Sequence, residues 1–142
     1  MERIIRLLKT ANDCEEAEKI FIDLAIQARR RSIELRALSH TPKNDLEKEL
    51  YEALYAYEDV LTYKNKRRTR ASRTLQMINR YGIVETAQRA VNRPDDAIGF
   101  QILMERGLLD KTFEYVITKY PKSFKPDTVA IAKERLSRYM KL

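Results

Sequence analysis

The sequence predicts an all-α fold: a single-domain helical bundle of six to eight helices, with two short helix–Gly–helix corners in its C-terminal half. Three observations lead there. Apolar residues recur at three- and four-residue spacing along the whole chain, and no stretch alternates as a strand would. Ala, Leu, Glu, Lys and Arg dominate the composition, and all five favour helices. Glycine is scarce at three and proline at four, and Gly82, Gly107 and the prolines punctuate the chain.

The elements follow in order. Ile4, Ile5, Leu7 and Leu8 make a short opening helix. Asn12 or Asp13 then offers an N-cap, with acids in the turn that follows. Ala17, Ile20, Phe21, Leu24 and Ala28 continue at helical spacing, then Arg29, Arg30 and Arg31, then Ile33, Leu35 and Leu38. The pattern fits one long helix or two joined at the arginines. The stretch SHTPKND, with His40, Pro42 and Asn44, is a loop and cap. After it, Leu46, Leu50, Ala53, Leu54, Tyr57 and Leu61 form one apolar face, with Tyr51, Tyr55 and Tyr63 off that face or at its edge. Helices are expected near 70–81, 84–92, 96–106, 109–119 and 126–140. Gly82 and Gly107 stand where helix C-caps belong, and Pro126 stands in a first turn beside Asp127.

Residues 1–142 therefore divide into longer helices over 1–62, and a basic segment followed by short helical hairpins over 63–142. LQMINRYGIVE, from Leu75, aligns with FQILMERGLLD, from Phe100, at an offset of 25 residues. The alignment suggests two corners with the same turn chemistry, either a shared solution for a tight corner or a duplicated hairpin.

Catalytic chemistry is poorly supplied. His40 is the one histidine and reads as a surface loop residue; Cys14 is the one cysteine and lies among acids, which disfavour a thiolate. Acid pairs such as Glu15/Glu16 and Asp95/Asp96 sit at helix starts, where the dipole favours them. No catalytic motif and no cofactor or metal motif is recognisable, so no enzyme activity is assigned. A pocket joining Asp95 or Asp96 to the basic segment would reopen that question. With no possible intramolecular disulfide, no signal-like leader and no membrane-length apolar run, a soluble cytoplasmic protein is expected.

Charge is the informative feature. The net charge is +7. Between Asp59 and Glu85 stand Lys64, Lys66, Arg67, Arg68, Arg70, Arg73 and Arg80, with no acid among them; the rest of the chain holds 21 basic and 21 acidic residues. The whole excess lies in that one segment, and arginine forks suit phosphate oxygens. Asn65, Thr69, Ser72 and Thr74 are interleaved as further donors, and Tyr63 and Tyr81 flank the block as stacking surfaces. If a helix starts near Arg70, then Arg70, Arg73, Met77 and Arg80 share a face. The expectation is a small nucleic-acid-binding protein, DNA favoured over RNA, that grips phosphate through residues 64–80. The alternative is a helical adaptor that binds an acidic protein partner. The same cations could instead pair with acids of the 45–59 helix. ARRRS, Ala28–Ser32, is a second, smaller cluster. Residues 74–92 have the length of a helix-turn-helix with Gly82 at the turn, but Gln88 stands where that motif wants an apolar residue and Ile78 where it wants a small one.

Overall fold

A computed structural model describes residues 2–94 and 96–140. They form eight α-helices and two single 3-10 turns, and no strand occurs among them. The chain separates into two compact units between Ser32 and Ile33.

The first unit holds α1 (Glu2–Arg6) and most of α2 (Ala11–Leu38), a continuous helix of 28 residues that runs unbroken through the arginine triplet. Its cap is Thr10 rather than Asn12 or Asp13. The Thr10 hydroxyl accepts from the Asp13 N–H at 3.0 Å, and the Asp13 carboxylate accepts from the Thr10 N–H at 3.2 Å. This reciprocal box satisfies two donors that a helix start otherwise leaves unpaired. Asp13 is therefore the third residue of the helix, which is why an acid there reads as a cap in one dimension.

The second unit is organised around α3 (Asp45–Asn65). Asn44 caps it by accepting from the Glu47 N–H at 2.9 Å, and the Glu47 carboxylate accepts from the Lys43 N–H at 2.8 Å. The helix is buried on more sides than one stripe predicts. Leu50, Leu54, Ala56 and Val60 are fully buried. Tyr55 is 8% exposed while Tyr57 is 37% exposed, the reverse of their expected order. The reason is His40. Its ring stacks on Tyr51 with centroids 4.1 Å apart, and its Nε2 lies 2.7 Å from the Tyr55 hydroxyl. The polar tip of Tyr55 is thus satisfied inside the protein, and His40 is half-buried structure rather than a surface loop residue. Burial, and then the positive Arg70, hold the His40 pKa below its ordinary value.

Two apolar clusters flank α3. One joins Leu54, Ala56 and Val60 to Ile33, Ala71, Leu103 and Leu108. The other joins Leu50 to Ile83, Val91, Val116, Ile117 and Val129. Their residues come from α4 (Ser72–Tyr81), α5 (Ile83–Val91), α6 (Ala97–Glu105), α7 (Phe113–Lys119) and α8 (Pro126–Tyr139), with 3-10 turns at Leu109–Lys111 and Pro121–Ser123. The expected 109–119 helix is split between a 3-10 turn and α7. Thr112 interrupts it by taking an extended backbone and capping α7, its hydroxyl accepting from the Tyr115 N–H at 3.0 Å.

The two glycine corners exist, but their turn chemistry differs. At Gly107 (φ 68) the Leu108 N–H reaches the Leu103 carbonyl at 2.8 Å and the Gly107 N–H reaches Met104 at 3.2 Å. This is a Schellman ending, completed by the contact of Leu108 with Leu103 in the core. Gly82 has φ 82 and ψ 167, a region that only glycine adopts readily. It ends α4 by donating to the Ile78 carbonyl at 2.8 Å and begins α5 by accepting from the Thr86 N–H at 3.1 Å. A single residue serves both helices, so α5 leaves α4 with no linker.

A β-carbon on Gly82 meets nothing within 4 Å, so the cost of Gly82→Ala is conformational strain rather than a clash. The substitution is expected to destabilise the protein by about 1–3 kcal/mol, measured by urea or thermal unfolding.

Candidate nucleic-acid interface

The basic segment begins in the last turn of α3 and runs through a six-residue loop into α4. The structure divides its seven cations into distinct groups. Lys64 reaches across the fold to Asp96, with Nζ 2.8 Å from Oδ2. Asp96 is the N-cap of α6, and its other carboxylate oxygen accepts from the Gly99 N–H at 2.9 Å. Burial raises the Asp96 pKa, but the Lys64 ammonium and the Gly99 N–H outweigh it and hold the group below its ordinary value. A β-carbon on Gly99 would lie 2.7 Å from the Asp96 carboxylate, so glycine makes this close cap possible.

Lys66 ends α3 in the left-handed region at φ 55, and Arg67 and Arg68 follow on the exposed surface. The loop backbone is pinned at Thr69. Its N–H donates to the Thr62 hydroxyl at 3.0 Å, and its own hydroxyl donates to the Arg67 carbonyl at 2.9 Å. Arg70 turns inward at its head: its Nε lies 3.1 Å from Glu58 Oε2. The same carboxylate oxygen accepts from the Ala71 N–H at 2.8 Å. Glu58 is 4% exposed, a charge buried on α3 and compensated by these two donors. Ala71 has no capping side chain of its own, so Glu58 substitutes for one at the start of α4. Of the paired-cation alternative raised by the sequence, Arg70 with Glu58 is a realised case.

The remaining two cations, Arg73 and Arg80, lie along the exposed side of α4 with Met77 between them. Leu75 and Ile78, on the opposite side, pack against the core. Arg73 and Arg80 share an open cleft with Gln76, Met77, Tyr81, Arg89 and Arg93. Arg89 and Arg93 come from α5 and the turn after it, and the sequence reading overlooked them because Glu85 ends the acid-free run. The available signal was their i,i+4 spacing on a helix that turns back at Gly82. Arg89 sits over the Tyr81 ring, 3.8 Å from its centroid, and its Nε lies 3.0 Å from Glu85. Arg80 is 5.9 Å from the same ring, and Arg93 approaches Met77 Sδ at 3.1 Å. A hydrogen bond from Arg80, followed by the charge of Arg89, holds the Tyr81 pKa below its ordinary 10.0. At the other end of the segment, Arg106 lies 5.3 Å from the Tyr63 ring, which is still 56% exposed.

A second, more enclosed cavity of about 210 Å³ lies beside Tyr57, Phe100, Asp96 and Lys111. Its charges are internally matched: Lys111 pairs with the buried Glu52, and Arg135 pairs with Glu114 at 3.3 Å while donating to the Arg93 carbonyl. Asp96 is tied to Lys64 there, and Asp95 lies outside the described residues. Gln88, the polar misfit for a helix-turn-helix, is buried and accepts from the Lys125 N–H at 3.0 Å. It therefore ties α5 to the start of α8.

No protein-family model, curated protein or solved structure matches the chain. No helix is long and apolar enough to cross a membrane among the described residues.

Two outcomes are expected from these contacts. Glu58→Ala removes the buried charge together with the partner of the Ala71 N–H, and it releases an Arg70 side chain that is 58% exposed and can be hydrated, so it should cost about 1–3 kcal/mol. Arg70→Ala leaves the Glu58 carboxylate buried without its cation and should cost more. Urea unfolding of the two variants gives the order. Arg80→Ala should raise the Tyr81 pKa toward its ordinary value, read from ultraviolet difference spectra during alkaline titration.

Proposed function

We propose that the cleft between α4 and α5 binds the sugar–phosphate backbone of nucleic acid, with DNA the favoured ligand. The observation that carries this reading is the meeting of Arg73 and Arg80 with Arg89 and Arg93 around one open cleft. Two helices that turn back at a single glycine bring cations together that are up to 20 positions apart in the chain. Arginines held at such spacing can each fork a phosphate and release its counterions. Lys66, Arg67 and Arg68 are exposed on the loop just before α4 and add to the positive charge ahead of the cleft in the chain. Lys64 and Arg70, already paired with Asp96 and Glu58, contribute less, and so does Arg89, whose Nε is taken up by Glu85. Duplex is favoured over unpaired strands because Arg89 already covers Tyr81, the aromatic group in the cleft, which weakens it as a platform for bases. The contacts are to backbone, so the binding discriminates little between sequences.

The acidic-protein alternative differs in its ligand, and competition separates the two. Random duplex DNA should bind with an affinity that falls as salt rises, with a log–log slope of about −0.9 for each phosphate neutralised. Replacing Arg73 or Arg80 by Ala should weaken every sequence alike and make the slope shallower by about 1. Fluorescence anisotropy from low to moderate salt measures both quantities. Absence of binding at low salt, or affinity indifferent to charge reversal at Arg73 and Arg80, would rule the reading out. Displacement of bound DNA by polyglutamate at equal charge would assign the cleft to acidic protein.

A further inference from the structure

The first unit is largely helical, yet none of its described residues is buried. Seven large apolar side chains between Ile4 and Leu24 are at least 41% exposed. On α2 all but Ile22 are ordered: Phe21 and Leu24 join Ala17 and Ala28 at 4–3–4 spacing, with Ile20 beside them, and this makes one stripe along one face, while Ile22 lies on the other side of the helix. A helix in water draws most of its stability from packing such a face, so the stripe calls for a partner.

The charges of α2 indicate which partner. Residues 13–23 carry five carboxylates and one lysine, whereas residues 28–32 carry three arginines and no acid. A partner helix of uniform sign would match one half and repel the other. A second α2 laid antiparallel matches both halves; laid parallel, it sets acids against acids. The geometry agrees. Asp13 and Arg31 lie on the side of the stripe that carries Ile20, nine positions to either side of residue 22. A two-fold axis beside that residue therefore brings Asp13 of one copy to Arg31 of the other. The same axis sets Ala17 near Ala28, two small residues that let the helices approach closely. Asp13 already accepts from the Thr10 N–H, and a carboxylate has further lone pairs for a guanidinium.

We infer that α2 pairs antiparallel with the α2 of a second copy of this chain. Phe21 and Leu24 lie at the centre, and the acidic first half of each helix lies against the arginines of the other. The test uses the full chain. Sedimentation equilibrium is expected to show a dimer. Phe21→Glu combined with Leu24→Glu should raise its dissociation constant on the order of a hundredfold or more, with the cooperative thermal transition of the second unit retained. In a Cys14→Ser background, oxidation of a mixture of Ala17→Cys and Ala28→Cys chains should link one variant to the other. Links between two Ala17→Cys chains would overturn the antiparallel arrangement. A monomer at every soluble concentration, or a dimer indifferent to the two glutamates, would overturn the pairing itself.

Discussion

Glu58 is the residue on which the placement of α4 and α5 depends. Its carboxylate is buried in the middle of α3, where an unpaired charge would be expensive. It is compensated by two donors that follow each other in the chain, Arg70 Nε and the Ala71 N–H. Those bonds fix the end of the loop and the first residue of α4 at once. The rotation of α4 about its own axis follows, because Leu75 and Ile78 then meet the core while Arg73 and Arg80 face outward. The position of α5 follows as well, since Gly82 is shared by both helices. A single buried anion thus organises the cations around it: one is consumed to neutralise it, and others are displayed on the helix that it starts.

The same logic recurs along α3. Glu52 is buried against Lys111, Glu49 pairs with Lys119 at 2.6 Å, and Lys64 pairs with Asp96. Each bond joins α3 to a residue far ahead in the chain, on the 3-10 turn, on α7 or at the cap of α6. A central helix surrounded by short ones needs such specification. Short helices supply little intrinsic stability, and apolar contact alone leaves their register loosely defined. Buried and half-buried ion pairs add direction to packing that is otherwise nondirectional.

The arginine cleft is ordered by contacts of the same kind. Arg89 is held by Glu85 and by the face of Tyr81, and Arg93 lies against Met77. Side chains ordered in this way lose less freedom when a ligand arrives than free surface arginines would. The Tyr81 pKa is lowered first by a hydrogen bond from Arg80 and then by the charge of Arg89.

Much of the fold is legible in the sequence. The period of the apolar residues, the caps and the breakers place the helices to within a few residues, because these signals act over one or two turns. The misses have local causes too. Thr10 captured the cap through a box with Asp13, and Thr112 split a helix by capping its second half. The two glycine corners, alike in sequence, differ because Gly107 is followed by a residue that enters the core while Gly82 must also start the next helix. The sequence by itself located the positive excess between Asp59 and Glu85. Only the tertiary structure decided how those cations are used. It paired Lys64 and Arg70 with acids 32 and 12 positions away, and it brought Arg89 and Arg93 to Arg73 and Arg80. The physical reason is that charge density is a property of the chain, whereas Coulomb interaction depends on distance through space, and that distance is set by folding.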